Sequence, residues 1–247
     1  MKQLDFKILE NTGIAKNTYL MRLAGDASDC ACGRFVNLLI DGKFLRRPIS
    51  VCDSDGSTLT LIYKAVGAGT EKMACMKPGE TVNILTGLGN GYDTGKSGDK
   101  PLLLGGGVGV PPLYKLAKEL VAEGKTVSVI LGFNSKDEVF WEREFAELGC
   151  RVTVCTADGS YGLRGFVTDA IGQVGEYTYF YTCGPEPMLR AVTAATATSG
   201  QLSFEERMGC GFGVCMGCSC ETLTGYKRIC RDGPVMEKEE IKWQTSK

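Results

Sequence analysis

Histidine is absent from the chain. Its absence removes the usual general base near neutral pH and the commonest neutral metal ligand. Acid–base hydrolysis is therefore disfavoured, whereas hydride and single-electron transfer need no protein base. Also lacking is any run of 18 apolar residues, so no bilayer-spanning helix is expected. Charges at Lys2, Asp5, Lys7 and Glu10 interrupt what would have to be the apolar core of a signal peptide. Nor is there an excess of charge of either sign: 28 Lys and Arg against 29 Asp and Glu leave a formal charge of -1. That balance gives neither nucleic acid nor an anionic membrane an electrostatic handle. The location expected from these features is the cytoplasm.

What the chain holds in quantity is glycine and cysteine, 33 and 12 of its 247 residues. Without an export signal, so many cysteines point to metal chemistry in a reducing compartment rather than to a disulfide framework. Cys210, Cys215, Cys218 and Cys230 have the spacing C-x4-C-x2-C-x11-C. The first three positions reproduce the plant-type pattern in which four thiolates hold two irons. Gly209, Gly211, Gly213 and Gly217 are interleaved among them. Lacking a Cβ, they let the backbone take positive φ and bring N–H groups near a cluster's sulfurs. A structural zinc site also uses four thiolates, but zinc modules usually show two C-x2-C knuckles and this segment has one. The four cysteines are therefore the expected ligands of a 2Fe-2S cluster. Cys220 is expected to be the spare thiol, because using it in place of Cys218 breaks the pattern. Most of the other seven (Cys30, Cys32, Cys52, Cys75, Cys150, Cys155 and Cys183) read as small buried hydrophobes.

The length suits two compact domains with a small appendage better than one large barrel. In the first part, short alternating runs at 6–9, 18–23, 35–40, 58–63 and 81–85 are separated by turn residues, which predicts an antiparallel barrel or sandwich. Arg46-Arg47-Pro48-Ile49-Ser50 is expected to close one strand. It offers a guanidinium fork for a phosphate, a rigid turn and a hydroxyl. Alone, it reads equally well as a solvated arginine pair on an edge strand. Ile62-Tyr63-Lys64 leads through Gly67-Ala68-Gly69-Thr70 into a short helix, whose open amides and positive dipole end suit an anion. The polar run 93–100 makes a linker.

Beyond it, Pro101-Leu102-Leu103-Leu104 begins a buried strand, a glycine-rich turn carries Gly106, Gly107 and Gly109, and a helix is expected over 113–123. Strand, glycine turn and helix form the layout that seats a pyrophosphate on helix amides. A purely structural glycine turn is the alternative. Strands at 126–131, 151–156 and 177–182 alternate with helices at 137–148, 166–171 and 186–197, which predicts a doubly wound parallel α/β sheet. Ligands of such sheets bind beyond the carboxyl ends of the strands, where the glycine turn and Cys183-Gly184-Pro185 both fall. Cys183 equally suits a buried strand-end thiol. Asn134, Ser135, Lys136, Asp137 and Glu138 follow the second strand with acids in excess, which favours a free ribose hydroxyl and so NAD over NADP.

The Arg47-Pro48-Ile49-Ser50 strand and the Gly69-Thr70 helix start resemble the flavin barrel of the ferredoxin-NADP reductase superfamily, and Cys183-Gly184-Pro185-Glu186-Pro187-Met188 resembles its nicotinamide turn. With the compact cysteine tail and Glu205-Glu206-Arg207-Met208-Gly209-Cys210 before it, the whole chain resembles the electron-transfer subunits of type B dihydroorotate dehydrogenases. Cys32 and Arg34 depart from that pattern, where proline and glutamine would be expected. The resemblance implies an FAD barrel over 1–97, an NAD-binding α/β domain over 98–200 and a 2Fe-2S domain over 201–247. It implies that Arg47, Pro48, Ile49, Ser50, Ile62, Tyr63, Lys64, Gly69 and Thr70 contact FAD. The partner implied is an FMN-containing dihydroorotate dehydrogenase catalytic subunit, in a two-plus-two heterotetramer. Dihydroorotate would reduce FMN there, and electrons would pass singly through the cluster to FAD, which would return a hydride to NAD+ as part of pyrimidine synthesis. A ferredoxin-NADP reductase-like subunit of another flavin and iron-sulfur oxidoreductase, or a non-catalytic zinc or redox-sensing module, are the alternatives.

Overall fold

The computed structural model describes residues 1–243, so positions 244–247 of the expected third domain lie outside the described residues. Six antiparallel strands close a barrel: β1 (Lys2–Ala15), β2 (Thr18–Ala24), β3 (Phe35–Leu38), β4 (Arg47–Ser54), β5 (Thr58–Lys64) and β6 (Thr81–Leu88), in the order β1-β2-β5-β4-β3-β6. Period-2 patterning drives this closure. Phe6 and Ile8, Met21 and Leu23, Val36 and Leu38, and Leu59 and Leu61 all turn into one dry core. Each such side chain contributes roughly 1.5–3 kcal/mol on burial. The short helix α1 (Ala68–Cys75) leaves β5 and is tied to β1 by Asn11, whose Nδ2 donates to the carbonyls of Met73 and Met76 at 2.8 and 2.9 Å.

The second part is a seven-stranded sheet ordered β10-β9-β8-β7-β11-β12-β15. Its members are β7 (Pro101–Gly106), β8 (Ser128–Phe133), β9 (Arg151–Thr156), β10 (Leu163–Arg164), β11 (Tyr179–Cys183), β12 (Gly200–Ser203) and β15 (Val235–Glu237). All neighbouring pairs are parallel except β12 with β15. Alternation again assigns the faces. Leu103, Val129, Leu131 and Tyr181 meet Leu113, Leu116 and Leu120 of α2 (Pro112–Ala122). Leu102, Leu104, Ile130 and Phe180 meet α4 (Val167–Val174) and α5 (Glu186–Ala195). The chain leaves β7 toward β8 on one side and returns to its other side at β11, so the switch point of the sheet lies between these two strands.

The C-terminal segment adds a hairpin of β13 (Ser219–Thr222) and β14 (Gly225–Arg228) and a turn of helix, α6 (Ile229–Asp232), before β15 joins the sheet edge. Among the described residues, no helix is long and apolar enough to cross a membrane.

Two local expectations are corrected, and a third, that most of the scattered cysteines are buried, holds. Arg47 opens a strand rather than closing one, because β4 runs on through Val51 and Cys52 into the core. The helix expected over 137–148 is a 3-10 turn (Lys136–Glu138) followed by the short α3 (Glu142–Glu147). Between them Trp141 takes a left-handed φ of 62°, while Phe140 packs on Phe133 and Trp141 on Tyr114. Side-chain packing wins over helix propagation there. Of the seven scattered cysteines, six are buried and Cys75 is exposed.

Candidate functional site

Two cavities open along the seam between barrel and sheet. The larger, about 530 Å³, lies at the switch point and is bordered by Gly106, Gly107, Val108, Phe133, Pro185 and Met188. Gly106 has no room for a side chain, since a Cβ would stand 2.4 Å from the sulfur of Met188. The turn therefore presents bare backbone at the start of α2, as pyrophosphate binding requires. Gly109, Cys183 and Gly184 sit behind this wall. A Cβ on Gly109 would come 2.3 Å from the Cys183 carbonyl oxygen, so the glycine locks the two strand ends together. Cys183 is buried, and burial pushes its thiol well above the usual range, which makes it inert.

The smaller cavity, about 300 Å³, lies on the barrel against Pro48, Ile49, Ser50, Ile62, Lys64 and Thr70. Strands β4 and β5 and the start of α1 thus bring together most of the residues expected around a flavin. Tyr63 borders it as well, yet its ring stacks on Tyr19 at 5.8 Å and its hydroxyl donates to Asn11 at 2.8 Å. Thr70 uses its hydroxyl to accept from the N–H groups of Val66 and Gly67, fixing the helix start. Arg47 lies over Gly69, whose absent Cβ would fall 2.0 Å from its Nε, and its Nη1 donates to the Leu45 carbonyl at 2.5 Å.

Lys64, Val108 and Glu205 border both cavities, so the two are contiguous. Lys64 pairs with Glu138 at 3.0 Å, and Asn134 donates to the same carboxylate at 2.8 Å. Burial opposes the charge on Glu138, but these donors hold its carboxyl below the usual range. Glu205 is solvent-exposed at the mouth where the cavities meet, yet the protein crowding around it pushes its carboxyl up. The part Glu205 plays in the wall was not legible in sequence, because it is delivered by the chain leaving β12, nearly a hundred residues after the glycine turn.

The four spaced thiols gather as two pairs. Cys210 Sγ accepts from the N–H groups of Phe212, Val214 and Cys215 at 3.3 to 3.5 Å, and Cys218 Sγ accepts from the Cys230 N–H at 3.4 Å. Burial disfavours the Cys210 thiolate, yet those amides and the Cys215 side chain hold its thiol at about 6, whereas burial and Cys218 push Cys230 up to about 12. Two pairs of soft donors fit two irons better than one zinc. Of the interleaved glycines, Gly211 and Gly213 have φ of 80° and 88°, as expected. Gly209 serves close approach instead, since a Cβ there would lie 3.2 Å from Cys215 Sγ, whereas one on Gly217 would make ordinary contact with it at 3.6 Å, and Met216 takes a left-handed position with φ 61°. Arg228 ties the loop down, donating to the Gly213 carbonyl at 2.9 Å and to Asp232. Cys220 lies on β13, half-buried and packed against the apolar cluster that also holds Cys218 and Cys230.

Comparison with known proteins agrees with this arrangement. The family model described as the iron-sulfur cluster binding domain of dihydroorotate dehydrogenase B matches residues 205–242. That of the oxidoreductase NAD-binding domain matches residues 103–194. The chain is similar to the dihydroorotate dehydrogenase B (NAD(+)) electron transfer subunit of Geobacillus sp. (strain WCH70), at 44% identity over 98% of this chain and 99% of the relative. It is equally similar, at 44% and the same coverage, to the subunit of that name from Fusobacterium nucleatum. Among solved structures it is similar to a chain of the NADH-dependent reduced ferredoxin-NADP oxidoreductase, with a TM-score of 0.87 and 28% identity over 96% of this chain and 90% of the other. On near-full-length identity of this size, the chain belongs to the family of electron-transfer subunits of NAD(+)-dependent dihydroorotate dehydrogenase B.

Proposed function

We propose that this chain carries electrons from the FMN of a dihydroorotate dehydrogenase catalytic subunit to NAD+, by way of a 2Fe-2S cluster and FAD, in a cytoplasmic two-plus-two heterotetramer serving UMP synthesis. The observation that carries this reading is contiguity. The switch-point cavity shares Lys64, Val108 and Glu205 with the barrel cavity, and the barrel cavity shares Phe35 with the apolar cluster that holds Cys218 and Cys230. When bound, FAD exchanges a hydride with nicotinamide and single electrons with the cluster.

The chain's own residues supply position. Gly106 and Gly107 bare the backbone at the start of α2 for the NAD pyrophosphate, with Gly109 holding that turn against Cys183 and Gly184 beside the nicotinamide. Pro48, Ile49, Ser50 and the strand end Ile62-Tyr63-Lys64 line the flavin ring's place, while Arg47, Gly69 and Thr70 serve its phosphates. Cys210, Cys215, Cys218 and Cys230 hold the irons. Phe212, Val214, Met216, Leu223 and Tyr226 are exposed on and beside the thiol loop. That much apolar surface next to a cluster suits burial by the catalytic subunit.

A second reading, a subunit of another flavin and iron-sulfur oxidoreductase, is favoured by the likeness to the ferredoxin-NADP oxidoreductase chain. Anaerobic purification with the native partner separates the two. The expected preparation contains FMN, FAD, iron and acid-labile sulfide, gives a rhombic paramagnetic signal after dithionite, and reduces NAD+ with dihydroorotate. A partner that oxidises a different substrate would establish the second reading, and a colourless zinc protein would remove both.

A further inference from the structure

Strand β3 alternates sharply between two environments. Val36 and Leu38 point into the barrel core, while Phe35 joins the apolar cluster containing Cys218 and Cys230. Asn37 shares the face of Phe35 and is 1% exposed, a polar side chain where the pattern calls for an apolar one. Its Nδ2 donates to the Cys210 carbonyl at 3.4 Å, and a Cβ on Gly211 would lie 2.3 Å from the same nitrogen. The amide therefore rests directly on the backbone that follows the first ligand thiol. Its Oδ1 has no hydrogen-bond partner among the described residues, so the side chain is not there to satisfy itself. In register, Asn37 stands opposite Pro48, and its neighbours Val36 and Phe35 stand opposite Ile49 and Ser50, the strand bordering the barrel cavity. Arg46 fixes the strand from outside, its Nη1 donating to the Asn37 carbonyl at 3.2 Å.

We propose that Asn37 is a positioning residue that seats the thiol loop on the flavin strand and so sets the spacing and orientation of the cluster relative to FAD. This rests on the electron-carrying reading given above. One side chain touches the backbone of a cluster ligand and belongs to the strand paired with the flavin site. Moving it shifts the loop without disturbing either the switch-point cavity or the barrel core.

The test uses the complete complex with its FMN subunit, carrying Asn37→Asp, which keeps the shape and loses the donor, or Asn37→Ala. Mixed anaerobically with NADH, both variants should bleach flavin at the unsubstituted rate. Freeze-quenched samples should show cluster reduction slowed about tenfold or more, as misplacement by a fraction of an ångström to an ångström implies. The paramagnetic signal should broaden or shift, and Asn37→Gln should recover part of the rate. Cluster reduction at the unsubstituted rate with an unchanged signal would overturn the proposal. So would an equal loss of flavin reduction, or loss of FAD or partner from both variants, because a positioning role leaves the barrel intact. If the unsubstituted complex itself gives no iron-sulfur signal, the electron-carrying reading fails and this one with it; a normal signal with indifferent variants sinks this one alone.

Discussion

Cys215 is exposed on the thiol loop, whereas Cys218 and Cys230 are buried beneath it. Serine at position 215 replaces a soft thiolate with a weakly acidic hydroxyl that holds iron poorly. Cys215→Ser is expected to abolish dihydroorotate-linked NAD+ reduction while the catalytic subunit still reduces an artificial dye, both measured on one preparation. Equal loss of the two activities would count against this wiring. Cys220 lies outside the four-cysteine spacing, on β13 against the apolar cluster that also contains Cys218 and Cys230, so Cys220→Ser should leave iron, acid-labile sulfide and the paramagnetic spectrum unchanged. Spacing alone made these five cysteines legible. Asn37 and Glu205 were not, since Asn37 lies 173 residues from the Cys210 it touches and no local pattern links them.

Between elements, the Lys64–Glu138 pair joins the end of β5 to the loop after β8, with side chains 29% and 14% exposed. Lys64→Met leaves the Glu138 carboxylate desolvated with only Asn134 to bond it. A loss of about 1–3 kcal/mol is expected in chemical denaturation, between the exposed and buried limits for ion pairs. The folded protein holds Glu138 below its ordinary value of 4.5, so this contribution is present above that pH and lost as pH falls through the folded value. A titration of stability should show the unsubstituted protein losing its advantage over Lys64→Met in that acidic window. Gly109→Ala forces a methyl against the Cys183 carbonyl, which as backbone cannot move aside. Roughly 1–3 kcal/mol of destabilisation is expected from such overpacking, read as a lower Tm, together with a raised KM for NAD+. The glycine turn was legible because strand, glycines and helix are consecutive. The helix expected over 137–148 was not, because Phe140 and Trp141 are drawn to Phe133 and Tyr114, which arrive from other elements.

At the scale of the molecule, the barrel keeps a core of its own, but part of its wall joins the core of the sheet layer. Cys32, Cys52 and Ile62 of the barrel pack in one cluster with Leu113, Leu116 and Tyr181 of the sheet layer, and Lys115 reaches across to donate to the Ser54 carbonyl at 2.8 Å. A shared core couples the two units cooperatively. Unfolding in denaturant is expected to give one coincident transition by far-ultraviolet circular dichroism and by flavin fluorescence. Two separated transitions would show that the seam is weaker than its packing implies.

The sequence by itself determined what is periodic or closely spaced. Alternation specified barrel strands and buried sheet strands, consecutive glycines marked the turn proposed for the dinucleotide, and four cysteines within twenty-one positions marked the proposed cluster ligands. These are local regularities of backbone geometry and ligand chemistry, and one chain segment suffices to display them. Only the tertiary structure decided that the two cavities share Lys64, Val108 and Glu205, that Cys183 is walled off behind Gly109, and that a lone asparagine of β3 meets the thiol loop. Such contacts join residues far apart in sequence, and they exist only once barrel closure and strand order have fixed which surfaces face one another.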